Sequence, residues 1–210
     1  MADTPELLCE GPEDAPLTLA VAHGAGAGMD SPFLTRFAAG IAAGGFRVAR
    51  FEFPYMAARR KDGKRRPPDR QPVLLDTWRR AIAALGGPER LVIGGRSMGG
   101  RMASMLADEE GVRGLVCLGY PFHPPGKPEN LRTAHLESLA TPCLICQGER
   151  DAFGGKPEVP TYRLSPSIEL FWLPDGDHGL EPRKASGHTT EGNWSATVSA
   201  VLAFLERRTP

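Results

Sequence analysis

Residues 91–108, LVIGGRSMGGRMASMLAD, combine a strand pattern, a glycine-rich turn and a helix pattern. The apolar run 91–93 is typical of a short buried strand, and Met98 to Asp108 has the spacing of a helix. Between them, Gly95-Arg96-Ser97-Met98-Gly99 fits the G-x-S-x-G pattern, in which a strained strand-to-helix turn lifts a serine hydroxyl above a sheet. A glycine-rich turn with an incidental serine is the alternative interpretation.

Strand and helix patterns alternate on both sides of this stretch, which predicts a mostly parallel sheet with helices on both faces. The helix after the first strand is expected to begin with Ser31 as N-cap and Pro32 at its first position, and to stop at Gly44-Gly45. We expect an α/β fold with six to seven strands and no cap domain. The predicted strands cover 17–22, 46–53, 91–93, 115–118, 143–146 and 168–173, and the other predicted helices cover 72–85, 98–108 and 194–207.

Length and composition exclude several classes of protein. The chain has 210 residues, with 25 basic and 25 acidic side chains, and this balance argues against a nucleic-acid partner. Its four cysteines are too few for a disulfide scaffold. The longest apolar stretch near the C-terminus, 200–205, is too short for a membrane span, and no signal peptide is visible before Arg36, the first basic residue. We expect a single cytoplasmic domain over residues 1–210.

A carboxylate and a histidine follow two of the later predicted strands. Asp151 lies just after strand 143–146, and His178 lies just after strand 168–173. The order Ser97, Asp151, His178 is the chain order of the α/β-hydrolase catalytic triad, in which histidine activates serine and the acid orients histidine. We therefore expect the Ser97 hydroxyl within hydrogen-bond reach of one His178 ring nitrogen, with Asp151 facing the other nitrogen.

Other residues compete for these roles. Glu149, Asp175 and Asp177 are alternative acids, and His188 and His123 are alternative bases. His135 is interpreted as a residue on a helix surface.

The glycine-rich turn 23–28 follows the first predicted strand. In an α/β-hydrolase such a turn supplies one N–H for the oxyanion, and the residue after the nucleophile supplies the other. These donors are predicted to be Ala25 and Met98. A phosphate-binding loop at 24–28 is the competing interpretation, but the spacing is not G-x-G-x-x-G and no P-loop Lys-Ser/Thr follows.

The loops 54–70, 120–134 and 152–162 are predicted to shape the substrate pocket. Residues 59–70 carry seven basic and two acidic side chains, and residues 120–130 are rich in proline. The basic loop is interpreted as a solvated surface, with a clamp for an anionic substrate or a site for an acidic partner as alternatives. The candidate pocket residues are His23, Arg96, Tyr120, Phe122 and His123.

The sequence gives no reason to expect a cofactor or a metal. Cys143 and Cys146 form a CxxC pattern, but in a strand residues three apart point to opposite faces, so these thiols cannot share one metal. Buried core cysteines are predicted instead.

These motifs together resemble a poorly characterised α/β-hydrolase-fold family distantly related to dienelactone hydrolases. Its animal relatives include a testis-expressed protein and a subunit of a histone acetyltransferase complex. The resemblance implies a serine hydrolase with Ser97, Asp151 and His178 at the triad positions. It spans about residues 17–205 and rests on segments 23–27, 51–56, 94–101 and 118–127 and on the Asp151 and His178 loops.

The function that this sequence predicts is hydrolysis of a carboxylic ester or thioester of a small or medium acyl substrate, through an acyl-Ser97 intermediate and without a cofactor. The alternative is a catalytically silent α/β-hydrolase fold that serves as an interaction module, since a fold does not fix a function.

Overall fold

The computed structural model describes residues 4–209, which contain a sheet of seven strands in the order β1-β3-β2-β4-β5-β6-β7. β1 is antiparallel to β3 at one edge, and the other neighbours are parallel. The strands are β1 Leu7–Glu10, β2 Thr18–Ala22, β3 Arg47–Phe51, β4 Leu91–Arg96, β5 Gly114–Leu118, β6 Cys143–Gly148 and β7 Ile168–Leu173. The α-helices are α1 Pro32–Ala43, α2 Pro54–Asp62, α3 Gln71–Ala84, α4 Met98–Ser104, α5 Ala107–Glu110 and α6 Thr190–Glu206.

The α/β-hydrolase fold is therefore as predicted, with helices packed on the faces of a mostly parallel sheet. α1 begins at Pro32, since a missing N–H costs nothing in the first turn of a helix. The predicted helix 98–108 is instead divided into α4 and α5. The chain tightens between them, where the N–H groups of Met105 and Leu106 bond three residues back at 3.3 and 3.0 Å.

Two elements are absent from the sequence prediction. β1 adds an antiparallel edge strand by pairing Leu7 to Glu10 with β3. α2 occupies the start of the segment 59–70, which the sequence led us to interpret as a loop. Asp69 accepts a hydrogen bond from the Tyr55 N–H at the start of α2 (2.8 Å), and Gly63 (φ 71°) ends the helix in the left-handed region.

The core has two layers, one on each face of the sheet. Cys143 packs in the layer that also contains Trp78, and Cys146 packs in the layer that contains Phe204. The prediction that these two cysteines face opposite sides is therefore confirmed. Within residues 4–209, no helix has the length and apolar character needed to cross a membrane.

The carboxyl ends of the parallel strands meet at one edge. Gly95 of β4 is in register with Cys117, Leu118 with Cys146, and Gly148 with Leu173. Loops that follow these strands therefore converge, as α/β sheets require for a site at this edge.

Candidate active site

Ser97 occupies the tight turn between β4 and α4. Its backbone has φ 48° and ψ −114°, a conformation that costs a non-glycine residue free energy and that is concentrated at functional sites. Close packing explains the flanking glycines. A Cβ on Gly95 would lie 2.2 Å from the Ala22 carbonyl oxygen, and a Cβ on Gly99 would lie 2.5 Å from the same atom. The strained turn holds the Ser97 side chain at the carboxyl edge of the sheet.

Ser97, His178 and Asp151 form one chain of hydrogen bonds. The distance from Ser97 Oγ to His178 Nε2 is 2.9 Å, and the distance from His178 Nδ1 to Asp151 Oδ2 is 2.8 Å. Asp151 is buried, whereas Ser97 and His178 are partly exposed. The structure thus brings together the three residues that the sequence places in this order, and this arrangement can pass a proton from the serine to the imidazole.

Gln147, a buried residue of β6, fixes the position of the Asp151 carboxylate. Its side-chain nitrogen donates to Asp151 Oδ2 at 2.9 Å, and its oxygen accepts from the Tyr120 N–H at 2.7 Å. The other carboxylate oxygen, Oδ1, accepts from the Phe153 N–H at 2.8 Å. Sequence reasoning missed Gln147, although a glutamine inside the apolar strand β6 is a signal, because a fully buried amide needs partners.

Two contacts position His178. An aromatic ring stacks on its imidazole, and an arginine binds its backbone carbonyl. The Phe153 ring lies 4.2 Å from the imidazole, centroid to centroid, at an interplanar angle of 29°. Arg96 donates to the His178 carbonyl oxygen at 3.3 Å, and its guanidinium lies 4.9 Å from the centroid of the Phe33 ring. Burial lowers the pKa of Arg96. These contacts give Arg96 a positioning role, which differs from the expected contact with substrate.

The alternative acids are occupied elsewhere. Glu149 binds Lys156 (2.6 Å) and the Asp175 N–H (3.0 Å). Asp175 itself pairs with Arg183 and Arg150, and Asp177 accepts N–H groups of its own turn. Asp151 is the acid that contacts His178.

Within residues 4–209, the alternative histidines form no hydrogen bond with Ser97. His188 is exposed in the turn before α6. His123 is buried, with Nδ1 at 2.8 Å from the Pro124 carbonyl oxygen and Nε2 at 3.3 Å from Glu158.

A second serine–histidine contact lies beneath α4. His135 Nε2 is 2.8 Å from Ser104 Oγ, so His135, which lies on a short 3₁₀ helix and is half-buried, is less exposed than the surface position expected for it. The Ser104 hydroxyl donates to the Arg101 carbonyl oxygen at 2.8 Å, and His135 therefore acts as the donor to Ser104. Ser104 is buried, and burial with the Arg101 charge lowers the pKa of His135. A buried serine whose proton is already committed to a backbone carbonyl is a poor candidate nucleophile.

The two candidate oxyanion donors border the same pocket as Ser97. Ala25, Ser97 and Met98 line a cavity of about 360 Å³. The turn that carries Ala25 is held by side chains from below: Tyr55 donates its hydroxyl to the Ala25 carbonyl oxygen at 3.0 Å, and Arg59 bonds the Gly26 carbonyl oxygen at 3.2 Å. These contacts fix the Ala25 region beside Ser97, and sequence reasoning did not identify Tyr55 as part of this site.

Four of the candidate pocket residues are buried instead. His23 is fully buried, with Nε2 accepting from the Phe53 N–H at 3.1 Å and Nδ1 donating to the Gly24 carbonyl oxygen at 2.6 Å. The Tyr120 hydroxyl donates to the Arg132 carbonyl oxygen at 2.9 Å, and the Tyr120 and Phe122 rings pack together. The expectation that His23, Tyr120 and Phe122 contact substrate is corrected, since their side chains support the loops from inside, as does the buried His123.

The basic segment is partly neutralised by its own neighbours. Arg60 binds Glu52 at 2.7 Å and Asp30 at 2.9 Å, and Arg66 binds Asp62 at 2.5 Å. These ion pairs favour a folded surface that is less cationic than the residue count indicates.

Comparison with known proteins agrees with this architecture. The family model described as "Alpha/beta hydrolase domain" matches residues 15–206, and the chain belongs to that family.

Several solved structures share the fold. A putative non-heme bromoperoxidase of Mycobacterium tuberculosis superimposes with a TM-score of 0.74 at 14% identity, covering 100% of this chain and 98% of that one. A thermophilic esterase of Thermogutta terrifontis gives 0.70 at 17% identity, with 98% and 94% covered. A serine hydrolase without lid from Xanthomonas campestris gives 0.65 at 18% identity, with 97% and 87% covered. At these identities the likeness is one of fold.

Proposed function

We propose that this protein is a serine hydrolase that cleaves a carboxylic ester or thioester of a small or medium acyl substrate. The observation that carries the proposal is the continuous hydrogen-bond chain from Ser97 through His178 to Asp151, with Ser97 on a strained turn at the mouth of a pocket.

The proposed reaction has two half-reactions. Ser97 Oγ attacks the acyl carbon while His178 Nε2 takes the serine proton, and Asp151 stabilises the resulting imidazolium. The N–H groups of Met98 and Ala25 stabilise the oxyanion. The C–O or C–S bond then breaks, His178 protonates the leaving group, and the acyl-Ser97 ester remains. Water, deprotonated by His178, releases the acid and restores the serine.

The pocket is consistent with a compact substrate. Its volume of about 360 Å³ lies at the lower end of the range for small-molecule sites. Leu74, Met98, Met102 and Phe153 contribute apolar lining beside Ser97, which suits a short acyl chain.

The test is turnover of a panel of aryl esters and acyl thioesters of increasing chain length, with two matched serine variants. Ser97→Ala should reduce kcat by several orders of magnitude, because it removes the nucleophile. Ser104→Ala is the matched control: it removes a serine hydroxyl from the buried Ser104–His135 pair and should retain turnover. If the purified protein cleaves no member of the panel above the Ser97→Ala rate, the proposal fails and the silent interaction module is favoured.

A further inference from the structure

The pocket beside Ser97 contains two arginines that the proposed chemistry does not use. Arg101 and Arg132 both line it, and both are partly buried. Arg101 lies one turn after Ser97 on α4, with its N–H bonded to the Ser97 carbonyl oxygen at 2.9 Å. Arg132 lies in the connection between β5 and β6. Two cationic residues from separate elements therefore border the space that a substrate would fill.

Neither guanidinium has a compensating anion in the part of the chain from residue 4 to residue 209. No ion pair is formed by Arg101 or Arg132 there, and the buried Nε of Arg101 has no hydrogen-bond partner. A buried N–H donor without a partner costs free energy, because it has lost its hydrogen bond to water without a replacement. This pair contrasts with Arg60 and Arg66 of the basic segment, which bind carboxylates.

The neighbouring titratable groups form no ion pair with either arginine within residues 4–209. Asp69 is the one carboxylate among the residues that line the pocket, and its Oδ2 accepts the Tyr55 N–H. Burial lowers the pKa of His135 and raises that of Tyr120, so both are neutral near pH 7. Burial and, to a smaller extent, the charge of Arg101 lower the pKa of Arg132.

We propose that Arg101 and Arg132 bind a carboxylate carried by the substrate, so that the preferred substrate is an anionic ester or thioester. The guanidinium fork matches the two oxygens of a carboxylate, and neither arginine is paired with an acid within residues 4–209. The inference rests on the proposed hydrolase function. It places the anion site in the pocket, whereas the sequence offered the segment 59–70 only as an alternative clamp for an anionic substrate.

The first test compares matched pairs of esters on the wild-type protein. An aryl hemiglutarate and its neutral methyl glutarate counterpart place the charge on the acyl side. A valerate ester of 4-hydroxybenzoate and that of its methyl ester place it on the alcohol side. A charge-assisted bidentate contact predicts that kcat/KM favours the anion by roughly ten- to hundred-fold in one of the pairs. Equal kcat/KM within each pair would overturn the proposal.

The second test asks whether the two arginines cause the preference. Arg101→Gln and Arg132→Gln should each lower the anionic-to-neutral kcat/KM ratio by about tenfold. Arg65→Gln removes an exposed charge from the basic segment and should leave the ratio at the wild-type value. An equal decrease of this ratio in all three variants would show that the overall positive potential of the surface causes the preference, and would contradict direct binding by Arg101 and Arg132.

Calorimetry with glutarate separates this proposal from the hydrolase proposal. Glutarate should bind wild-type protein and Ser97→Ala, and should bind Arg101→Gln and Arg132→Gln at least about tenfold more weakly. Such binding without any esterase activity would support the anion site while the hydrolase proposal fails. Absence of glutarate binding to a protein that hydrolyses neutral esters would overturn the anion site alone.

Discussion

Asp151 shows how a single oxygen atom can control the proposed chemistry. Its Oδ2 atom meets both His178 Nδ1 and the Gln147 amide, so it fixes which ring nitrogen carries the proton. With the proton on Nδ1, the Nε2 lone pair faces Ser97 Oγ, as a general base requires. The geometry at Ser97 therefore depends on a buried carboxylate two contacts away.

The first prediction follows from this tautomer. In Asp151→Asn, the amide can donate to Nδ1 and favour a proton on Nε2, which then cannot accept the Ser97 proton. We expect kcat for a neutral ester to fall by about three to four orders of magnitude with little change in the folded structure. Steady-state kinetics and circular dichroism check this, and a loss of less than about tenfold would contradict the assigned role.

The second prediction concerns His23, whose burial lowers its pKa. Below the ordinary histidine pKa of about 6.5, His23 is protonated in the unfolded chain. In the folded protein it stays neutral, since its Nε2 already accepts the Phe53 N–H. His23 therefore gives its full stabilisation above about pH 6.5, and this contribution is lost as the pH falls towards the lowered pKa.

Urea unfolding between about pH 7.5 and 5 measures this effect. The free energy of unfolding of the wild-type protein should decrease towards acid. His23→Gln should have a smaller slope, reduced and not abolished because His135 titrates in the same direction. An unchanged slope in His23→Gln would show that His23 is not buried in its neutral form.

At the scale of the elements, the loops after β5 and β7 are in direct contact. Gly119, immediately after β5, has φ 69°, and a Cβ there would lie 3.0 Å from the His178 carbonyl oxygen and 3.5 Å from Nδ1. The position of the histidine ring therefore depends on a residue that has no side chain.

The third prediction uses two glycines with almost the same backbone conformation. Gly119→Ala should lower kcat by about tenfold or more, because it displaces His178. Gly126→Ala is the matched control, with φ 70° and open space around the new Cβ. Both should lose about 1 kcal/mol of stability from the left-handed conformation, and only Gly119→Ala should lose activity. Equal kcat in the two variants would contradict the proposed contact.

The buried elements are the ones that sequence reasoning predicts well. Strands β2, β4, β5 and β6 are apolar runs or nearly so, because both of their faces are covered, and α1 begins at a proline that suits a first turn. The three proposed triad residues were found for the same reason: each follows a predicted strand, and the ends of parallel strands converge.

The remaining features depend on tertiary contacts that no local pattern contains. α2 is stabilised by Asp69, which lies after the helix in sequence and binds the N–H of Tyr55 near its start. Tyr120 and Phe122 follow a strand as pocket residues would, yet their rings turn into the core. Gln147 and Arg132 act through partners or neighbours that only the folded chain brings close.

At the scale of the whole molecule, the sheet edge gathers the proposed nucleophile, base and acid, and two arginines that form no ion pair within residues 4–209, from four separate segments. The proposed hydrolase function rests on one central claim, that Ser97 is the nucleophile. An organophosphonate tests this claim without knowledge of the natural substrate, since it reacts with an activated serine and leaves a stable adduct.

The measurement is intact-protein mass spectrometry after incubation with a fluorophosphonate, followed by mapping of the modified peptide. We predict one phosphonyl group per chain, on Ser97, with no adduct on Ser97→Ala and an undiminished adduct on Ser104→Ala. An unmodified wild-type protein, or an adduct on a serine other than Ser97, would contradict the account.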